Sequence, residues 1–211
     1  MVTWTTKVKH LGNILHFNLD ESADVSLKRG DLASRVNKII GSLHGASDEV
    51  LMKVFSSKCC HFYGATAWRF TDKHVSQFHT MYNRCVRRIL KLPYMTHTRF
   101  LPLLTDRPNS REEITARFVK MVFTASQSDN SFIKHILNRS IKTANSIIGS
   151  NIDYIKTVFS LSLSDMRSFN FRKQDTLTVE DKCTVQAIKD LKNFAIDFTD
   201  FDEFLYKLCV D

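Results

Sequence analysis

The sequence predicts a mainly α-helical fold: a helical bundle preceded by a short β-hairpin or strand, with a smaller C-terminal helical region. Three observations carry this. Only six Gly and three Pro punctuate 211 residues, where average usage would supply about 25. That scarcity excludes collagen-like and low-complexity chains, and it argues against a sandwich or barrel, which needs a turn residue every ~8–12 positions. Hydrophobic residues make up 43%, with 16 Phe, enough apolar area to bury a sizeable core. Finally, Val75, Phe78, Tyr82, Val86 and Ile89 recur at helical spacing, the clearest periodicity in the chain.

The elements follow in order. Lys7–Phe17 is the one strand-like segment, β-branched or apolar with partial alternation, and Gly12 inside it marks a bend or close approach. Trp4 is a candidate for a paired strand before it. Asp20 or Ser22 caps a first helix to about Leu43, with Val25, Leu32, Val36, Ile39, Ile40 and Leu43 as its apolar stripe. Ser47 opens a second helix to about Phe70, on which Leu51, Val54, Phe55, Phe62, Ala65 and Trp68 lie near one face. A third helix starts after Thr71 and stops before Pro93. Ser110-Arg111-Glu112-Glu113 reads as a capping box for a helix that carries Ile114, Phe118, Met121 and Val122 inward. Shorter helices are expected at 131–139, 151–160, 179–194 and 200–209, the last two capped by Thr178 and Thr199. The polar stretch Ser160–Thr176 reads as a loop. This divides the chain into a strand region at 1–20, a bundle at 21–92, a proline joint at 93–109 and a helical region at 110–211.

Charge is distributed unevenly. The net charge is +8, but residues 1–125 carry +9 and residues 126–211 carry −1. From Asp175 onward there are nine Asp/Glu against four Lys. A polyanion surface therefore belongs in the first half. Five Cys at irregular spacing read as reduced thiols of an intracellular protein, nuclear or cytoplasmic. No apolar run reaches the ~18 residues of a membrane span, so no membrane partner is expected.

Catalytic and metal signatures are missing from the sequence. Cys59 and Cys60 are adjacent, so on a helix they point about 100° apart and cannot chelate as a pair. There is no G-x-S-x-G motif and no Gly-rich phosphate loop. Paired acids such as Asp48-Glu49 and Glu112-Glu113 read as helix N-termini, where they complement the dipole. No Asp pair lies at a turn between apolar strands, as a two-metal polymerase site requires.

The strongest functional signal is basic. Arg84, Arg87, Arg88 and Lys91 lie largely off the apolar stripe of the third helix and are expected to face outward, with His97 and Arg99 following the Pro93 turn. Cations at a helix C-terminus are also what the macrodipole favours. Four in eight positions, within the basic half, point to sequence-independent phosphate contacts. Tyr63, Tyr82, Tyr94 and Trp68 are candidates for base stacking, although Tyr82 and Trp68 fall on apolar stripes and read as core.

Three segments in order resemble the non-LTR (LINE-type) retrotransposon reverse transcriptases. Val8-Lys9-His10-Leu11-Gly12-Asn13 resembles the family's Y-L-G segment, with His10 in place of the commoner Tyr. Phe62-Tyr63-Gly64-Ala65-Thr66-Ala67-Trp68 resembles its F-Y-G-x-x-L/A-W signature, and Tyr82–Pro93 with Thr96-His97 resembles its block from W/Y-N to L-P and T-H. The acidic end through Phe204–Cys209 looks like the close of many such reading frames. The matches cover roughly residues 7–100. The resemblance implies a fragment: the tail of the palm, then a helical thumb, then a C-terminal region. Lys9, His10, Leu11 and Gly12 would form the primer grip, and Arg84, Arg87, Arg88, Lys91, His97 and Arg99 would contact nucleic acid. The expected partners are an RNA or RNA–DNA hybrid backbone and the palm and fingers of the same polyprotein. The full family enzyme uses Mg2+, bound by palm aspartates that this chain lacks. No cofactor and no polymerase activity are expected of this chain alone. The alternative function is a stand-alone helical protein-interaction module derived from such an element. A contiguous apolar patch beside Lys7–Phe17 would mark the palm interface, and a basic face would mark nucleic-acid binding.

Overall fold

A computed structural model describes residues 5–18, 20–105, 107–143 and 145–159. Trp4, the loop expected at Ser160–Thr176, the caps Thr178 and Thr199, and the helices expected at 179–194 and 200–209 lie outside the described residues. Among the described residues the fold is mainly helical with a two-stranded hairpin at its start, the predicted class.

β1 (Lys7–His10) and β2 (Asn13–His16) pair antiparallel, with Val8 opposite Leu15 and His10 opposite Asn13. Leu11 and Gly12 both have positive φ, 47° and 79°, as a two-residue type I′ turn requires. The strand-like segment therefore folds back on itself at the bend expected at Gly12.

Three helices run up, down and up. α1 (Ser22–Ser42) begins where the Asp20 carboxylate accepts the Ser22 amide at 3.0 Å and its hydroxyl at 2.8 Å. Val25, Leu32, Val36 and Ile39 are buried, and Ile40 and Leu43 pack half-buried against the same core. The chain reverses at Gly45, whose φ of 86° suits only glycine without strain. Ser47 then caps α2 (Asp48–Cys59). This helix stops at Cys59 and not near Phe70. Phe62 and Gly64 have φ of 41° and 80°, conformations that end a helix, and only Ala65–Ala67 makes a single 3-10 turn. α3 (Lys73–Ile89) starts at Asp72, which accepts the His74 amide at 2.6 Å. All five residues of its predicted stripe are buried. Arg29 of α1 donates to Gln77 of α3 at one end of the pair, and Lys91 meets Asp48 at the other. α1 and α3 therefore run side by side in the same direction.

The proline joint has its own structure: a turn at 93–96, a 3-10 turn at Thr98–Phe100 and α4 (Leu101–Thr105). α5 (Ser110–Gln127) has a capping box, but one residue earlier than the sequence suggested. Asn109 accepts the Arg111 and Glu112 amides at 2.9 and 3.0 Å, and Glu112 accepts the Asn109 amide at 2.9 Å. Ser110 instead bonds His79 at 2.8 Å. α6 (Ser131–Lys142) and α7 (Ile147–Phe159) complete the described chain, α7 starting earlier than expected. Phe70 packs edge-on against Phe118 of α5 and Tyr154 of α7, so helices on both sides of the joint share one core.

His79 is buried between α3 and α5, and its Nδ1 faces the Ser110 hydroxyl. Burial, helped by the nearby Arg111, pushes the imidazole down to about 3. The unfolded chain has the ordinary value of about 6.5 and binds the proton that the folded chain refuses. Stability is therefore full above pH 6.5 and falls as pH drops through that value toward 3. Denaturant titrations at pH 6.5 and 4.5 should show a loss of roughly 2 kcal/mol in the parent chain. His79→Gln should remove most of that difference.

Candidate nucleic-acid interface

The irregular segment from Cys60 to Asp72 sends Cys60, Phe62, Ala65, Trp68 and Phe70 into the core while His61, Tyr63, Ala67 and Thr71 face solvent, so the backbone polar groups of its buried residues need partners inside the protein. The 3-10 turn pairs some of them, side chains from α5 and α7 pair others, and a side chain of α1 holds the Trp68 indole. Asn151 of α7, fully buried, accepts the Phe70 amide at 2.9 Å and donates to the Trp68 carbonyl at 2.8 Å. Arg117 of α5 donates to the carbonyls of Cys60 and His61 and lies over the Phe62 ring, 5.4 Å from its centre. Glu113 steadies that guanidinium at 2.7 Å. Asp24 of α1 is only 5% exposed. Its Oδ2 accepts the Trp68 indole N–H at 2.9 Å.

The same carboxylate holds the hairpin. Asp24 Oδ1 accepts the Ile14 amide at 2.8 Å. Lys28, one turn along α1, donates to the Gly12 carbonyl at 2.9 Å and lies 5.9 Å from the centre of the Tyr63 ring. Asn13 packs against Gly64, where a Cβ would meet its Oδ1 and lie 2.7 Å from its Cγ. The third segment joins them, because Tyr82 packs on Phe62 with ring centres 5.9 Å apart. All three sequence segments that suggested a family thus pack together in one region.

The predicted site residues fall in two groups. Lys9, His10, Leu11 and Gly12 are exposed on the hairpin beside the start of α1. Arg84, Arg88, Lys91 and Arg99 are exposed at the far end of α3 and just beyond it. Gln77 and Arg88 are eleven residues apart on α3, about 17 Å along its axis. That spans roughly five nucleotides of one strand. Two predicted residues have inward duties. Arg87 is half-buried and donates from Nε to the Thr96 carbonyl at 2.8 Å, so it does not face freely outward as expected. Burial, then the neighbouring Arg84, lower its pKa below the usual guanidinium value. His97 is half-buried, accepts the Arg99 amide and packs against the Phe100 ring. Lys91 also meets Asp48 at 3.1 Å, but both are solvent-exposed enough that such a pair contributes at most about 1 kcal/mol. Of the candidate stacking rings, Trp68 and Tyr82 are core while Tyr63 and Tyr94 are exposed.

Sequence reading did not single out Asp24, Lys28, Arg117 or Asn151. Asp24 is adjacent to Val25 on the buried side of the first turn, which is the only local signal it gives. Among the described residues no three His, Cys, Asp or Glu side chains converge to hold a metal ion. No helix among them is long and apolar enough to cross a membrane. Comparison of the chain with protein-family models, with curated proteins and with solved structures finds no match.

Gly64 and Gly45 offer a controlled test of the hairpin junction. Both have positive φ, but only Gly64 has a neighbour where a Cβ would go. Gly45→Ala should cost about 1 kcal/mol from backbone strain alone. Gly64→Ala should cost clearly more by thermal or denaturant unfolding, and the excess should vanish in an Asn13→Ala background.

Proposed function

We propose that this chain is the thumb-like part of a non-LTR retrotransposon RNA-directed DNA polymerase, and that it clamps the backbone of a primer–template duplex without catalysing synthesis itself. The observation that carries the reading is the convergence of the three resembling segments on Asp24, Lys28, Gly64 and Tyr82. The chemistry agrees. Lys9 and His10 on the hairpin, with Arg84, Arg88, Lys91 and Arg99 at and beyond the far end of α3, place exposed nitrogen donors at the two ends of the α1–α3 pair. Such an array reads the spacing of phosphates and not base edges.

The hairpin supports the second partner, the palm and fingers of the same polyprotein. Val8 and Leu15 are cross-strand neighbours and both are more than half exposed, as is Leu11 at the tip. An isolated two-stranded hairpin is marginally stable in water. A palm packed on Val8 and Leu15 would cover this surface and bring the magnesium chemistry of the family, none of which is assigned to residues of this chain.

A second reading, a protein-interaction module, has one specific observation in its favour. Phe132, Ile133 and Ile136 are exposed on α6 while Leu137 packs inward. An outward apolar ridge suits docking of another protein element.

Binding of the full chain to a short blunt RNA–DNA hybrid, measured across a salt series, separates the two. The clamp requires log K to fall linearly with log salt. Arg84→Ala combined with Arg88→Ala should reduce the slope by about two while leaving the melting temperature unchanged. Salt-independent binding, or none, would refute the clamp and leave the interaction module.

A further inference from the structure

The chain leaves α3 through a turn that phosphate clamping alone does not explain. The Pro93 carbonyl accepts the Thr96 amide at 3.1 Å, which makes Tyr94 and Met95 the two corner residues of a β-turn. Both ends of the turn are fixed. The Leu92 amide donates to the Arg87 carbonyl at 2.8 Å, and the Thr96 carbonyl accepts Arg87 Nε at 2.8 Å. Thr96 is buried, and the Pro93 ring holds its own φ. At the corner, Tyr94 is 83% exposed and Met95 49% exposed.

An exposed aromatic on a mobile loop is unremarkable. This one stands on a turn locked to the end of a helix, so little conformational freedom remains to be lost on binding. Its surroundings are basic. Arg84 and Arg88 are exposed on the last turns of α3, Lys91 precedes the turn, and Arg99 follows it. Among the described residues neither Arg84 nor Arg88 has an ion-pair partner. An exposed π-face on a turn that follows an arginine-bearing helix end matches the chemistry of one nucleotide: base on the ring, phosphates on the cations. A base inside a duplex has its faces covered by its neighbours and cannot use such a ring. An acidic peptide would satisfy the cations and leave the ring without a function.

We infer that Tyr94, on the pinned turn between Pro93 and Thr96, is a stacking platform for an unpaired nucleotide that runs off the end of the clamped duplex. The inference rests on the clamp reading and names the part of the nucleic acid that the far end of α3 takes.

The test uses the full chain and two probes: a blunt RNA–DNA hybrid, and the same hybrid with a short single-stranded overhang carrying 2-aminopurine. The parent chain should bind the overhang probe about tenfold more tightly, equivalent to about 1.4 kcal/mol. Its 2-aminopurine fluorescence should change on binding as the base stacks. Tyr94→Ala should abolish both effects and leave binding to the blunt hybrid as it was. Tyr94→Trp should retain them. Equal binding of the two probes by the parent chain, or an overhang preference that survives in Tyr94→Ala, would overturn the platform while the clamp stands. Failure of the parent chain to bind either probe would overturn the clamp, and the platform with it.

Discussion

The structure depends on the hydrogen bonds that hold one irregular segment, Cys60 to Asp72, which buries Phe62, Trp68 and Phe70 among the helices. Helices and sheets satisfy their own N–H and C=O groups, whereas this segment pairs only part of its backbone within its 3-10 turn and the turn before Asp72. Each group left unpaired there costs about 1–3 kcal/mol. Asp24, Arg117 and Asn151 reach this segment from α1, α5 and α7. Those three polar residues specify how the helices are arranged around Trp68 and Phe70. Apolar packing favours burial in general, but it does not by itself choose one arrangement.

The same constraint places the hairpin. Asp24 has two oxygens, and it spends one on Trp68 and the other on Ile14. The two bonds are 2.8 and 2.9 Å long, ordinary lengths for N–H···O hydrogen bonds. A short hairpin with an exposed apolar pair is thereby fixed to the start of α1. Because α1 and α3 run in the same direction, the hairpin and the basic end of α3 lie at opposite ends of this helix pair.

Much of this was legible in the sequence where the signal is local. The α3 stripe is one-sided over a whole helix and has a Pro beyond it, so both features agreed. The end of α2 was not legible. Phe62, Ala65 and Trp68 continue a helical spacing, yet they are buried from a loop whose backbone leaves the helical region at Phe62 and Gly64. The capping box was ambiguous by one residue, because Asn109 and Ser110 each precede a Glu by three positions. The choice is made by a distant group, His79, which bonds the Ser110 hydroxyl. Asp24, Arg117 and Asn151 reach the Cys60–Asp72 segment across 44 to 83 residues of sequence, and no local pattern encodes that. For the basic residues, sequence placed the cluster correctly at the end of α3. It could not tell that Arg87 would turn inward to hold Thr96, because the fold of the proline joint decides it.

Native-state hydrogen exchange at the Trp68 indole and the Phe70 amide is the most direct measurement of whether the loop is held this way. With Asp24 and Asn151 as their acceptors, both protons should exchange only when the whole core opens, as slowly as the Val86 amide in the middle of α3. Exchange at either site orders of magnitude faster than at Val86 would show that the loop opens by itself, and the arrangement of helices around it would then need another cause.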